Sequence, residues 1–226
     1  MHKTATSHNR RRRTIIKVGG ATLFQPDGFQ EVLNPLLDEF RDDHVYVMVG
    51  GGDLVEAMRT AHRIYPTLSC EEMHWNCVEL LDTTWGIAKS VMPLDQSIYD
   101  SRDLARFGLW NDTARACWVR VQSFYSRCHC DGIPSSWMPT SNWNTTTDAL
   151  AWLLGMTVSA DRVVLVKQCE CNDSWTLEQA SALGVVDSEI SRLVNLHPAP
   201  QMHIEIRTGN RKPSDGEHRP ILRQPE

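Results

Sequence analysis

The chain has no long hydrophobic run. None of its apolar stretches approaches the ~18 residues that a membrane-spanning helix needs; the longest, such as Val45–Val49 and Val163–Val166, have the length of buried strands. Positive charge is scarce in the body of the chain. Thr14–Ile206 carries 13 basic and 25 acidic residues, a net −12, whereas Met1–Arg13 has five basic residues and no acid. So acidic a body argues against a nucleic-acid-binding surface on the folded part, and no specific nucleic-acid or membrane partner is expected. Also missing are the phosphate loop Gly-x-x-x-x-Gly-Lys-Ser/Thr, the dinucleotide fingerprint Gly-x-Gly-x-x-Gly, the protein-kinase set and the zinc-protease pattern His-Glu-x-x-His. No internal repeat is visible. Arg10–Arg13 are followed only by Thr14–Val18 before two glycines, too short an apolar core for an export signal. A cytoplasmic location is therefore expected, with the seven cysteines, an odd number, as reduced thiols.

What is present is an alternation of short apolar runs and helical periodicities. At 226 residues with 41% hydrophobic content, the chain can bury a sizeable core. Thr14–Val18 reads as a buried strand ending in Gly19-Gly20. Phe29–Phe40 repeats apolar residues at helical spacing. Val45–Val49 is a second strand ending in Gly50-Gly51-Gly52, and Asp53–Ile64 is helical again. This order builds a parallel sheet with helices on its faces. Cys70–Met92 reads as a longer helix, and Thr145–Met156 as another. Arg162–Val166 is a third apolar strand, Trp175–Leu183 and Asp187–Leu193 are two short helices, and Met202–Arg207 alternates like a last strand. Between Pro93 and Met138 only Cys117–Val121 stands out, as a strand. Residues 1–13 and 208–226 are expected to be disordered tails, leaving 14–207 as the folded domain.

Glycines directly after apolar strands let backbone N–H groups converge on an anion at the start of the following helix. Here this happens twice. Two of the three body lysines, Lys17 and Lys167, stand at the carboxyl ends of expected parallel strands, the edge where open α/β sheets bind ligands. An ammonium there suits a phosphoryl group. Glycine also serves strand-to-helix turns for steric reasons alone, and a strand-end lysine can simply reach solvent.

Ile15-Ile16-Lys17-Val18-Gly19-Gly20-Ala21, then Val47-Met48-Val49-Gly50-Gly51-Gly52, then Thr146-Thr147-Asp148-Ala149-Leu150-Ala151 leading into Val163–Lys167 resemble, in order and spacing, the amino acid kinase superfamily. The likeness spans roughly Thr14 to Leu193. It implies a three-layer αβα sandwich around a mainly parallel sheet, with ATP and Mg²⁺ on one side, a small-molecule phosphoryl acceptor on the other, and a homo-oligomer. By this resemblance Lys17 meets the transferring phosphoryl group, Gly19 and Gly20 hold the ATP phosphates, and Lys167 borders the nucleotide. Asp148 orients the lysines, and Gly50, Gly51 and Gly52 face the acceptor. Arg59, on the helix after these glycines, is placed to reach an anionic acceptor group.

The Gly-Gly-Met-x-x-Lys stretch that many members carry near the carboxyl end is absent. Gly50–Arg59, His74-Trp75, Trp143 through Trp152 and Leu183–Asp187 resemble the branch that converts aminomethyl-furanmethanol phosphate to its diphosphate in methanofuran biosynthesis. Trp137 or Trp143 would then stack on the acceptor ring. A non-catalytic relative that holds a nucleotide or anion is the alternative. Cys128-His129-Cys130 and Cys169-Glu170-Cys171 offer zinc-ligand chemistry at an uncommon spacing, and reduced thiols without metal are expected. His62 and His74 are expected at the surface or satisfied in the core.

Overall fold

The computed structural model describes residues 11–26, 28–107, 114–128, 130, 132–172 and 175–209. Six strands form one sheet: β1 (Arg13–Val18), β2 (His44–Val49), β3 (Gln96–Ile98), β4 (Ala116–Val119), β5 (Arg162–Lys167) and β6 (His203–Thr208). Their order is β3-β4-β2-β1-β5-β6 and every pairing is parallel, with Ile16 opposite Val47 on one side and Val164 on the other. The central strands lack polar alternation because both faces are covered. Ile16, Val18, Val47 and Val164 pack with Phe29 and Leu33 of α1 (Gly28–Glu39) and with Trp85 and Ala88 of the long α3 (Cys70–Val91). Ile15, Tyr46, Met48 and Leu165 face the opposite core, formed with α5 (Thr147–Val158) and with α7 (Ser188–Leu196). The three-layer αβα sandwich around a parallel sheet is thus observed.

Helix α5 is apolar nearly all round and lies buried over the sheet, as expected of a helix with no wet side. Its start is set by Thr146, whose hydroxyl accepts from the Asp148 backbone N–H. Helix α2 (Asp53–Ile64) differs: none of its residues is fully buried, and no side chain caps its N-terminus. α3 opens with a capping box in which Ser69 and Glu72 bond each other's backbone.

Several boundaries move. Arg13, assigned above to the tail, starts β1: its backbone N–H donates to Asp161 at 2.8 Å and its guanidinium to the Val158 carbonyl at 2.5 Å. Thr208, also placed in a tail, is the last residue of β6. The strand expected over Cys117–Val121 ends at Val119 and gives way to a 3₁₀ turn over Val121–Ser123. The segment without an expected pattern contains β3 and α4 (Ser101–Arg106); α6 (Leu177–Ala182) precedes α7. Residues 1–10 and 210–226 lie outside the described residues. Among the described residues no helix is long and apolar enough to cross a membrane.

Candidate functional site

A cavity of about 400 Å³ opens at the carboxyl edge of β1, β2 and β5. Lys17, Gly20, Gly50, Gly51, Gly52, Arg59, Asp148 and Lys167 all line it, so residues up to 150 positions apart in sequence converge there. Gly19 does not line it. A Cβ added at Gly19 would meet only the Val166 carbonyl, at 3.8 Å.

Gly20 is another matter. A Cβ there would lie 2.2 Å from the Gly52 nitrogen and 2.3 Å from the Gly50 oxygen. The loop after β1 and the loop after β2 therefore pack backbone against backbone, which only glycine permits. Gly52 adds φ 54°, a conformation open to glycine at little cost. Steric need explains these glycines, and it also exposes main chain and the uncapped start of α2 to the cavity, the arrangement that receives anions.

The charged centre is Asp148, 2% exposed, in the first turn of α5. Its two oxygens each take one ammonium: Lys17 Nζ at 3.0 Å from Oδ1 and Lys167 Nζ at 2.5 Å from Oδ2. Lys17 is buried at 6% exposure and does not reach out to solvent. Burial works against the Asp148 charge, but the Lys17 and Lys167 ammoniums outweigh it and hold the carboxyl below its usual range. Lys167 is pushed down, first by burial and then by the Lys17 ammonium, despite its bond to Asp148. One carboxylate thus shares its charge between two enclosed cations, with the Asp187 carboxylate as the next negative group acting on Lys167.

Beside it stands Asp187, which caps α7 through an Oδ1 bond from Ile190 N–H at 2.7 Å. Its Oδ2 accepts from the Thr146 N–H at 2.8 Å, the Thr146 hydroxyl at 2.7 Å and the Ala149 N–H at 3.2 Å. Burial, followed by the charge on Asp148, raises its pKa. Asn142, Trp143, Thr145 and Thr146 line the other wall, and their segment is tied down at both ends, at Thr146 by Asp187 and at Thr140 by Glu189, which accepts from the Thr140 N–H and hydroxyl at 2.6 and 2.8 Å. Asp187 entered the sequence reading as the start of a short helix and as part of a branch pattern. Its Asp-Ser-Glu context at a helix start was the signal for a cap; its reach to Thr146 was not.

On the α2 side, Arg59 lines the cavity with its guanidinium 4.7 Å from the Trp143 ring centroid. Trp143 lines it as well, but its ring is engaged by Arg59 and His62. Trp137 lies outside this cavity and packs against the core, so it offers no ring to an acceptor there. His74 is buried, with Nε2 2.8 Å from the Tyr125 hydroxyl and Nδ1 3.4 Å from the Asn142 carbonyl. It is the satisfied core histidine expected, although one edge borders the cavity. All seven cysteines are free thiols. Among the described residues no group of three metal-ligating side chains exists; His129 of the Cys-His-Cys run lies outside them.

No family model matches the chain, and no curated protein matches it in sequence. Among solved structures it is similar to the uridylate kinase of Archaeoglobus fulgidus, with a TM-score of 0.57 at 14% identity over 87% of this chain and 90% of that one. The UMP kinase of Ureaplasma parvum gives a TM-score of 0.52 at 11% identity, over 89% of this chain and 92% of that one. These likenesses establish the fold, that of the amino acid kinases.

Proposed function

We propose that the protein is an ATP-dependent phosphotransferase that moves the γ-phosphoryl group of ATP onto a small phosphate-monoester acceptor. The observation that supports this reading is the Lys17–Asp148–Lys167 cluster. Two enclosed ammoniums share one carboxylate at a sheet edge where two loops and a helix start present bare backbone. A group that spreads negative charge over three oxygens during transfer suits that environment. The kinases that share the fold point the same way.

In this reading Lys17 and Lys167 flank the phosphoryl group in flight, and Asp148 fixes both ammoniums and removes no proton. A monoester supplies an oxygen that is already anionic, so no general base is needed. The P–O bond to ADP breaks as a P–O bond to the acceptor forms. Mg²⁺, bound with the nucleotide, would neutralise charge on the β- and γ-oxygens. Asp53 and Glu56, which line the cavity, would offer such an ion carboxylate oxygens, with phosphates and water supplying the rest. Arg59 stands at the acceptor end to receive the monoester's own phosphate. Aminomethyl-furanmethanol phosphate, named by the branch resemblance, is the acceptor of first choice. UMP is the second, from the activity named for the structural neighbours.

The test is ADP release with ATP–Mg²⁺ across a panel of monoesters headed by these two. Turnover with one of them, lowered in Lys17→Ala by about 10²-fold or more, supports the reading. Stabilisation by ATP–Mg²⁺, about 2.7 kcal/mol at 100 times its Kd, with no turnover on any monoester would instead favour a nucleotide-holding relative.

A further inference from the structure

The face of α2 toward the acceptor half carries Glu56, Arg59 and His62, three residues apart. Arg59 Nε lies 3.4 Å from Glu56 Oε1, and its guanidinium sits over Trp143. The Trp143 indole N–H donates to His62 Nδ1 at 2.7 Å, and the two rings stack with centroids 5.7 Å apart. His62 Nε2 is 2.9 Å from the Leu68 carbonyl. A carbonyl only accepts, so Nε2 carries the hydrogen and Nδ1 keeps the lone pair that the indole needs. One indole is therefore used twice, its N–H on His62 and its π-system on Arg59. The bridge matters because α2 buries none of its residues fully.

We propose that Trp143 and His62 are positioning residues for acceptor binding: the indole is a shelf that aims the Arg59 guanidinium into the cavity, and His62 sets the tilt of that shelf. The inference rests on the phosphotransferase reading for its kinetic readout. It replaces the expectation that Trp143 stacks on the acceptor. A guanidinium already held on an aromatic face loses less freedom on meeting an anion.

The deciding experiment is a double-mutant cycle on acceptor KM with ATP saturating. Arg59→Ala should raise acceptor KM at least about tenfold, and Trp143→Leu roughly fivefold, with the KM for ATP unchanged and kcat within about twofold. The double variant should match Arg59→Ala alone, because a shelf without its guanidinium has nothing to aim. Trp143→Phe and His62→Ala, which leave an aromatic face in place, should each raise acceptor KM about twofold, and together no further. They remain informative if Trp143→Leu fails to fold. An equal penalty for Trp143→Leu in the Arg59→Ala background would show direct contact with the acceptor and overturn the proposal; so would an unchanged acceptor KM in Trp143→Leu or, failing that, in Trp143→Phe and His62→Ala. If the unmodified protein releases no ADP, the phosphotransferase reading has failed, and the same cycle is run on the rise in Tm produced by inorganic phosphate. A smaller rise in Trp143→Leu that vanishes as a difference once Arg59 is gone upholds the shelf. A phosphate response that Trp143→Leu leaves untouched refutes it.

Discussion

The start of α5 and the start of α7 meet at the cavity, each bringing an aspartate, and the two carboxylates are held by opposite means. Asp148 faces two ammoniums and is kept ionised by charge. Asp187 is hydrogen-bonded by backbone N–H groups and a hydroxyl, and burial together with Asp148's charge pulls it toward the neutral form. The difference separates electrostatic work from architecture. Asp148 holds two enclosed cations at the cavity, while Asp187 fixes the helices that deliver Asp148. One hydroxyl, that of Thr146, touches both arrangements, accepting from Asp148 N–H and donating to Asp187.

The most severe way to break the comparison is Asp148→Asn. It removes the carboxylate that both Lys17 and Lys167 face, and should cost about 3–5 kcal/mol in urea unfolding. Part of that loss should return when Lys167→Met is added, because one enclosed cation is then gone. No recovery would mean that the carboxylate is held by something other than the two lysines.

Asp187→Ala should cost less, about 2 kcal/mol, by leaving helix-start donors unpaired, and Asp187→Asn about 1 kcal/mol. The two sites should also differ in the sign of their pH dependence. Asp148 has a lowered folded pKa, so its contribution is complete above its unfolded value near ~3.9 and is lost as pH falls through the lower folded value. The advantage of the unmodified protein over Asp148→Asn should therefore grow with pH across that acidic window. Asp187 has a raised folded pKa, so its contribution is complete below ~3.9 and is lost as pH rises through the folded value. The advantage over Asp187→Asn should shrink with rising pH, at no more than about 1.4 kcal/mol per unit. Slopes of the same sign would erase the distinction. The smallest effect belongs to Thr146→Val, about 1 kcal/mol, with a larger Asp187 pH effect, because the Thr146 hydroxyl bond holds that pKa down, and an unchanged Asp148 slope.

The central strands were legible because both-face burial writes continuous apolar runs, and Lys17, Gly20, Gly50–Gly52 and Lys167 were legible because they sit at strand ends; Asp148 was singled out only through the resemblance, since a helix-start acid by itself marks no site. β3, three residues long, and α4, six, are too short to show a period. The ties that complete the site are long-range: Thr146 to Asp187 spans 41 residues and Trp143 to His62 spans 81. Nothing local marks such pairs. Trp143 was singled out as a ring facing the acceptor, and what decides its use is Arg59 and His62 on another helix. Arg13 fell to the tail because it ends an arginine run; its bonds to Asp161 and Val158 arise only once β5 lies beside β1.

The contact between Gly20 and the Gly50–Gly52 loop makes the site a gauge cut in main chain. Two strand-end loops that touch through their backbones move as one piece, and the gap between whatever each loop holds is a dimension of the sheet. In the reading proposed here, that gap is the donor-to-acceptor distance. No side chain sets it, so no ordinary substitution can lengthen or shorten it by degrees. Variation in the acceptor would have to be absorbed by the outer walls, α2 and Thr140–Thr146, while the calibration between the two phosphates stays with the fold.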